Sequence, residues 1–181
     1  MKCLAISNTG RFELRRPETP SEWDSYHCIK QRTLWCAKTA KALGPYDKTH
    51  PEQFSDGYIP LVLLRNGTVI GTMGLQDMGD HGLGREVEIR GVAMDPACQS
   101  QGYGGIMLMM GESAAGRAGF ARAGVWSGED VTLFYARNGY IYRPKDMPVR
   151  LKCPVPGGTA MTKRLDLGVA QNDGSVLIAA A

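Results

Sequence analysis

The segment from Val92 to Gly105 constrains this chain more than any other part of its sequence. An apolar run ends at Pro96, a loop rich in glutamine and glycine follows, and a helical pattern begins directly after the loop. A strand that leads through such a turn into a helix leaves several backbone N–H groups pointing into one concavity. The helix macrodipole adds about half a positive charge there, and glycines let an anion approach without meeting a Cβ. The segment therefore predicts a phosphate or diphosphate site.

Three nucleotide-binding patterns compete for this turn. The dinucleotide fingerprint needs a third glycine where this chain has Met107, and an acidic residue about 20 positions later, where Arg122 stands. A P-loop needs a Gly-Lys-Ser/Thr run, which is absent. The pattern that matches is a strand, Gln or Arg, two residues, Gly, one residue, then Gly or Ala, at Gln99, Gly102 and Gly104. A plain glycine-rich connection between packed elements is the alternative on these residues alone.

In its strand–turn–helix setting, this turn resembles that of the GNAT N-acetyltransferases. Phe134-Tyr135 followed by Gly139-Tyr140 is similar to the family's later helix, and the likeness covers about residues 12–166. The resemblance implies an α/β fold, with a mixed, mostly antiparallel sheet of six to seven strands and helices on both faces. It implies acetyl-CoA (coenzyme A) as the cofactor. The residues that it places around the cofactor are Val92, Ala93, Met94, Gln99, Ser100, Gln101, Gly102, Tyr103, Gly104 and Gly105.

The composition fits one soluble domain. The chain has 181 residues, of which 43% are hydrophobic and 22% charged, so a core can form without disulfides or metals. Five widely spaced cysteines, with no pair separated by two residues, predict reduced thiols and a cytoplasmic location. No apolar run approaches the ~18 residues of a membrane span. The net charge of +3 comes from scattered side chains and argues against a nucleic acid partner.

Local signals predict the elements around the turn. Thr19-Pro20-Ser21-Glu22 has the pattern of a capping box and predicts a helix through Leu34 that ends before Gly44. Asn66-Gly67 between two apolar runs predicts a hairpin, because both residues tolerate positive φ. The other predicted elements are strands 12–15, 58–64, 68–75, 86–94, 123–126, 149–153 and 159–165, and helices 103–118 and 130–138, the latter capped by Ser127 and Asp130 and stopped by Gly139. Residues 1–167 are expected to form the domain and residues 168–181 a flexible tail.

Acyl transfer to an amine needs a neutral nucleophile. An amine with a pKa of ~10.4 is about one part in a thousand neutral at pH 7, so a positioned base helps. The resemblance nominates Glu88, eleven residues before Gln99, as that base, and Glu86 on the same strand face is the fallback. A solvated carboxylate balancing Arg90 is the competing interpretation of Glu88. The resemblance makes Tyr135 the proton donor to the departing thiolate, with a core aromatic residue as the alternative.

Gly91 interrupts the strand that carries Glu88. Glycine is costly inside a strand, so it predicts a bulge or the close approach of a ligand, with tight helix packing as the alternative. The family splays its sheet here, which implies that Val92 and Met94 offer main-chain hydrogen bonds to the pantetheine arm. The family often has asparagine where this chain has Gly128, and Ser127 and Glu129 are the alternatives for that polar contact to the arm.

Other candidate chemistry is limited. His27, His50 and His81 lack the spacing of metal ligands, so no metal is expected. Cys98 lies in the turn, but it has no histidine partner in the sequence, and direct transfer needs no enzyme nucleophile. The predicted catalytic groups are therefore Glu88 and Tyr135 alone.

These features predict direct transfer of an acetyl group from acetyl-CoA to a primary amine in a ternary complex. The expected acceptor is a small-molecule or peptide amine, and the resemblance implies that it binds between the first helix, the loop after it and the hairpin, here Trp35 to Gly57. Homodimers are common among proteins that resemble this chain. Two alternatives stay open: a catalytically idle acyl-CoA-binding or regulatory domain on the same fold, and an acetyltransferase toxin acting on aminoacyl-tRNA, which the small positive charge disfavours.

Overall fold

The computed structural model describes residues 2–7, 10–35, 44–149, 151, 157–165 and 175–177. Their helices and strands are, in chain order, β1 (Lys2–Ser7), β2 (Gly10–Arg15), α1 (Pro20–Leu34), β3 (Tyr58–Arg65), β4 (Thr68–Asp80), β5 (Arg85–Met94), α2 (Tyr103–Arg117), β6 (Arg122–Ser127), α3 (Thr132–Arg137), β7 (Ile141–Tyr142), β8 (Thr159–Arg164) and β9 (Ser175–Leu177). Single turns of 3-10 helix occupy Pro51–Phe54, Pro96–Cys98 and Glu129–Val131.

Nine strands in the described ranges form one sheet, in the order β7-β8-β6-β5-β4-β3-β2-β1-β9. The pairs β5–β6 and β1–β9 are parallel and the others antiparallel, so the mixed, mostly antiparallel sheet is confirmed. The expected count of six to seven strands is too low. The strands that were not predicted are β1, β7 and β9. β7 and β9 have two and three residues, which is too short to show an alternating pattern.

Helices cover both faces of the sheet, as expected. α2 packs over β1, β2, β4 and β5, and the main core lies between these elements. α1 lies on the other face against β4 and β5, where Tyr26, Val62 and Leu64 form a smaller apolar cluster. Val87 and Ile89 of β5 point into the main core. Because side chains alternate along a strand, Glu86, Glu88 and Arg90 point toward the face that α1 covers. No helix in these ranges combines the length and apolar character that crossing a membrane requires.

The start of α1 confirms the predicted capping box. The Thr19 hydroxyl accepts a hydrogen bond from the Glu22 N–H at 3.2 Å, and the Glu22 carboxylate accepts one from the Thr19 N–H at 3.3 Å. Two further bonds, of 2.7 and 2.8 Å, join Glu22 to the guanidinium of Arg15 on β2. Hydrogen bonding to Arg15 lowers the pKa of Glu22 from 4.5 to about 2. The cap therefore also fastens α1 to the sheet.

Residues with positive φ end the elements where the sequence predicts. Asn66 and Gly67, with φ of 49° and 84°, form the β3–β4 turn. Gly139, with φ of 85°, stops α3 and donates its N–H to the carbonyl of Ala136 at 3.0 Å. These positions required a left-handed conformation, which is why they were readable from single residues.

Two local predictions around the last helix and strands need correction. The capping box of Ser127 with Asp130 is wrong, because the buried Ser127 hydroxyl donates to the Gly128 carbonyl at 3.0 Å and lies 3.0 Å from the Thr132 hydroxyl. It therefore caps no helical N–H. In the predicted strand 149–153, positions 149 and 151 belong to no strand, and the others lie outside the described residues. Of the predicted tail, Ser175–Leu177 pair with β1 as β9, and the rest lies outside the described ranges.

Candidate functional site

The turn between β5 and α2 presents a row of backbone N–H groups. The six amides from Gln99 to Gly104 donate to no acceptor in the described part of the chain. Before the row, the amides of Ala97 and Cys98 bond to Asp95, at 2.9 Å to its carboxylate and 2.8 Å to its carbonyl. After the row, helical hydrogen bonding starts at the carbonyl of Gly102. The row therefore offers donors to an external anion.

Two left-handed residues shape this turn. Ser100 has a φ of 59° and Gly102 a φ of 79°. Left-handed residues in a turn direct neighbouring N–H groups into one hollow, an anion-binding arrangement called a nest. A Cβ on Gly102 would meet no atom within 4 Å, so its backbone conformation, and not a lack of space, calls for glycine. The side-chain amides of Gln99 and Gln101 donate to carbonyls before the turn, at 3.2 and 3.1 Å, and brace it.

β5 and β6 pair along only part of their lengths. The two strands pair in parallel from Glu86 opposite Arg122 to Glu88 opposite Gly124, and in the described residues the pairing ends there. β6 continues along β8, while β5 continues along β4. The last part of β5, which leads into the row of amides, therefore has no strand partner on its β6 side within the described residues. An extended ligand arm can pair with such an edge as an added strand would.

Gly91 lies at a bulge in β5, as predicted. Thr72 is opposite Ala93 and Gly74 is opposite Arg90, so two residues of β5 face one residue of β4. The φ of Gly91 is 56°, which is the conformation that favours glycine. A Cβ there would make ordinary contacts of 3.6 and 3.7 Å with α1 side chains, so tight helix packing does not explain this glycine.

The structure brings the sequence-predicted cofactor residues together in two groups. One is the end of β5, where Ala93 is buried and Val92 and Met94 are partly buried. The other is the turn and the first turn of α2. A Cβ on Gly104 would lie 3.4 Å from the Phe134 ring of α3, so α3 packs directly beside the start of α2. The members of the second group are Gln99, Ser100, Gln101, Gly102, Tyr103, Gly104 and Gly105.

The two glutamates of β5 differ in their surroundings. Glu88 is 1% exposed and stands opposite the fully buried Gln76 of β4. It is therefore not the solvated carboxylate of the competing interpretation. Glu86, the fallback base, is held by Arg143 through two hydrogen bonds of 2.6 and 2.9 Å. Both oxygens of Glu86 are therefore occupied in a buried ion pair.

Gly124 of β6 makes room for the ion pair of Glu86 and Arg143. A Cβ on Gly124 would lie 2.8 Å from a carboxylate oxygen of Glu86 and 2.7 Å from the Leu151 side chain. Arg143 comes from the segment after β7, and 57 positions separate it from Glu86. No local sequence pattern indicates a contact between residues so far apart, so the ion pair was not predicted.

Tyr135 lies in the main core and is 7% exposed. Its ring packs edge-on against Tyr140, with centroids 5.5 Å apart, and against Phe134 at 5.1 Å. Burial raises the pKa of the Tyr135 hydroxyl above its usual value of 10.0. The hydroxyl therefore stays protonated across the physiological pH range.

On β6, the buried indole N–H of Trp126 finds no acceptor among the described residues.

A second group of polar side chains, which no sequence pattern indicates, lies between α1 and the sheet. We call Tyr26, Lys30, Tyr58 and Arg90 the cationic cluster. The two tyrosine hydroxyls are 2.9 Å apart, and the Lys30 ammonium donates to the Tyr26 hydroxyl at 3.3 Å. The Arg90 guanidinium lies 5.6 Å from the centre of the Tyr58 ring. The Tyr58 ring packs against the backbone of Gly74, where a side chain would not fit, because a Cβ there would lie 2.2 Å from the Tyr58 hydroxyl oxygen.

An open cavity of about 470 Å³ lies on the outer side of α1. His27 bonds to the hydroxyl of Tyr46 at 2.8 Å at its edge, and burial lowers the pKa of His27. The cavity is lined by His27, Gln31, Tyr46, Asp47, Lys48 and Thr49. Within the described ranges, no three His, Cys, Asp or Glu side chains are grouped as metal ligands.

Comparison with known proteins gives three solved structures of similar fold. The ribosomal-protein-S18-alanine N-acetyltransferase of Escherichia coli is 17% identical, with a TM-score of 0.61, over 89% of this chain and 97% of that chain. An acyl-CoA N-acyltransferase from Pseudomonas aeruginosa is 15% identical, with a TM-score of 0.61, over 84% and 97%. The N-acetylglutamate synthase of Neisseria gonorrhoeae, solved with coenzyme A and L-arginine, is 15% identical, with a TM-score of 0.63, over 85% and 33%.

At these identities the likeness shows a shared fold. No curated protein matches the chain in sequence. The model of the acetyltransferase (GNAT) family matches residues 13–140, which is more than half of the chain and includes β5, the turn and α3. The chain therefore belongs to the GNAT family of acetyltransferases.

Proposed function

We propose that this protein is an N-acetyltransferase that moves an acetyl group from acetyl-CoA to the primary amine of a small molecule or peptide. Membership of the GNAT family supports the broader activity, acyl transfer from a coenzyme A thioester. The observation that carries the proposal is the row of six backbone amides from Gln99 to Gly104 that find no acceptor in the described chain. A helix start ordinarily leaves about four backbone donors without intrahelical acceptors, and this longer row, exposed from Gln99 to Gly102, is open to an anionic ligand.

The described residues fit coenzyme A in two places. The row of amides, with the positive end of the α2 dipole behind it, suits the pyrophosphate group. The unpaired edge of β5 at Val92 and Met94 suits the amide groups of the pantetheine arm, which would pair with it as a strand does. The exposed left-handed turn at Ser100 and Gly102 leaves the backbone open on the ligand side.

Glu88 is the proposed general base. Bound acetyl-CoA supplies a thioester carbonyl, and transfer forms an amide bond to the acceptor nitrogen as the carbon–sulfur bond breaks. Glu88 takes up the proton that the nitrogen loses, directly or through one water, since its carboxylate is enclosed.

Tyr135 is the proposed partner of the departing sulfur. A thiol has a pKa of ~8.5, and burial raises the pKa of Tyr135 above 10.0. Complete proton transfer from this hydroxyl to a thiolate is therefore unfavourable. Tyr135 instead donates a hydrogen bond that stabilises the thiolate as it leaves.

Binding and turnover can be tested separately. We expect acetyl-CoA and coenzyme A to raise the melting temperature of the protein in a thermal-shift titration, and NAD to leave it unchanged. A free-thiol assay across a panel of amines then measures transfer. Stabilisation by NAD alone would contradict the cofactor assignment. Binding of acetyl-CoA without transfer to any amine in the panel would instead favour an idle acyl-CoA-binding domain.

A further inference from the structure

The cationic cluster concentrates positive charge and hydroxyl groups in the interface between α1 and the sheet. Lys30 is 9% exposed, and Tyr26 and Tyr58 are 1% and 9% exposed. The Lys30 ammonium also lies within 3.5 Å of the side-chain oxygen of Gln53. Burial keeps Tyr26 in its neutral form by raising its pKa. Charges in such an enclosed place act with little screening by solvent and salt.

This cluster lies beside the proposed reaction site. Arg90 and Glu88 are two residues apart on β5 and share the α1 face of the strand. Lys30 reaches the bulge, where its Cε is 3.6 Å from the position of a Cβ on Gly91. Lys30 and Arg90 therefore lie on the same side of β5 as Glu88, near the point where β5 turns away from β6.

The chemistry of the acceptor follows from this arrangement. Positions two apart on a strand are separated by about 6.6–6.8 Å, so a base and a cation there face two neighbouring groups of one small molecule. An α-amino acid carries its amine and its carboxylate on the same carbon. A lysine side chain in a protein, or the N-terminus of a peptide, has no carboxylate at that distance.

We propose that the acceptor is a free α-amino acid, and that Arg90 and Lys30 bind its carboxylate while its amine lies toward Glu88. This inference rests on the proposed function and names the substrate class of the same site. A guanidinium and an ammonium are suited to a carboxylate. The two cations also favour the neutral form of the amine, because they repel an ammonium group.

The test compares matched acceptors in the wild-type protein. Each of a panel of amino acids is assayed with acetyl-CoA beside its α-amide and its decarboxylated amine, which keep the amine and the side chain. We expect kcat/KM for the preferred amino acid to exceed that of both analogues by tenfold or more, the effect of one charge-assisted contact. Equal kcat/KM for acid and amide would overturn the inference and leave the proposed function standing.

Two substitutions locate the contact. Arg90→Gln and Lys30→Gln should each lower the acid-to-amide ratio of kcat/KM by about tenfold. A purely structural role would lower kcat/KM for acid and amide alike and leave the ratio unchanged. Arg117→Gln, at the end of α2 on the opposite face, is the control and should keep the wild-type ratio. A ratio that survives both cluster substitutions would overturn the assignment of these residues.

The failure of the inference is distinguishable from that of the proposed function. If acetyl-CoA binds but neither acids, amides nor amines are acetylated, the proposed function is contradicted. If amides and amines are acetylated as well as the acids, only the carboxylate site is contradicted. The wild-type comparison needs no variant, so the inference stays testable if a substitution prevents folding.

Discussion

Arg143 clamps both carboxylate oxygens of Glu86, at 2.6 and 2.9 Å, and the side chains are only 5% and 6% exposed. The pair joins the segment after β7 to β5, beside the point where β5 and β6 separate. Removing one partner leaves a buried charge without compensation, which costs about 3–5 kcal/mol. We therefore expect Arg143→Gln to lower the free energy of unfolding by about that amount in urea denaturation. The double variant with Glu86→Gln should recover part of the loss, and a single-variant loss below about 1 kcal/mol would contradict the prediction.

The link between Glu22 and Arg15 predicts a pH dependence of stability. The pKa of Glu22 is about 2 in the folded protein and 4.5 in its ordinary state, so the folded form holds the proton less tightly. The stabilisation is complete above pH ~4.5 and is lost as the pH falls toward 2. Glu22→Gln should remove about 1–3 kcal/mol at pH 7 and flatten the acid side of the stability curve.

Glu18 provides the control for this pH prediction. Its carboxylate is 3.6 Å from the same arginine, but its side chain is 65% exposed. Exposed pairs contribute little, so Glu18→Gln should change the unfolding free energy by less than about 1 kcal/mol at any pH. Equal effects of Glu18→Gln and Glu22→Gln in chemical denaturation at pH 7 would refute the prediction.

Much of the fold was readable from single residues and short motifs. The Asn66-Gly67 turn, the bulge at Gly91 and the stop at Gly139 each depend on a left-handed conformation that few residue types favour, and the capping box at Thr19 depends on a hydroxyl and a carboxylate three residues apart. Such constraints are local, so the sequence displays them directly. The same reason applies to the glycine turn after Pro96, whose strand–turn–helix setting was predicted and is confirmed.

What the sequence did not reveal depends on contacts between distant segments. The ion pair of Glu86 and Arg143 and the cationic cluster join elements that lie tens of residues apart, and no periodicity marks them. The left-handed Ser100 was also missed, because its conformation is imposed by the turn and not by its residue type. The cap predicted for Ser127 failed for a local reason, since the Gly128 carbonyl and the Thr132 hydroxyl, one and five residues away, occupy its hydroxyl.

Replacing the proposed base tests its role directly. Glu88→Gln removes the proton acceptor and keeps the side-chain shape, so kcat/KM for amine acetylation should fall by about 10²–10⁴-fold. This loss in kcat/KM should shrink as the pH approaches the pKa of the acceptor amine, because more of the amine is then neutral without a base. Acetyl-CoA affinity should be unchanged. Glu18→Gln, at an exposed position before α1, is the matched control, and a rate for Glu88→Gln near that of Glu18→Gln would rule out a base at this position.

Two neighbouring tyrosines separate catalysis from packing. Tyr135→Phe removes the hydroxyl proposed to face the departing sulfur, and kcat should fall by about tenfold, the effect of one hydrogen bond to a charged group. Tyr140→Phe removes a second buried hydroxyl from the same core, 5.5 Å away between ring centroids. It should leave kcat nearly unchanged. Equal effects of the two substitutions on kcat, measured in single-turnover experiments, would assign Tyr135 to the core alone.

Two glycines at opposite ends of α2 test the anion site. Gly102 precedes the helix and Gly119 follows it, with φ of 79° and 85°, and a Cβ on either would meet no atom within 4 Å. Alanine should therefore impose a similar backbone strain at both positions, about 1 kcal/mol or more. Only Gly102 belongs to the row of amides, so Gly102→Ala should weaken acetyl-CoA binding by about tenfold in calorimetry.

Gly119→Ala supplies the comparison at equal strain. It should lower the melting temperature of the free protein about as much as Gly102→Ala does, and keep the wild-type affinity for acetyl-CoA. This outcome would separate the shape of the turn from the stability of the helix that follows it. If both variants bind acetyl-CoA equally well, the diphosphate does not depend on the left-handed turn. The amides from Gln99 to Gly104 would then need another acceptor.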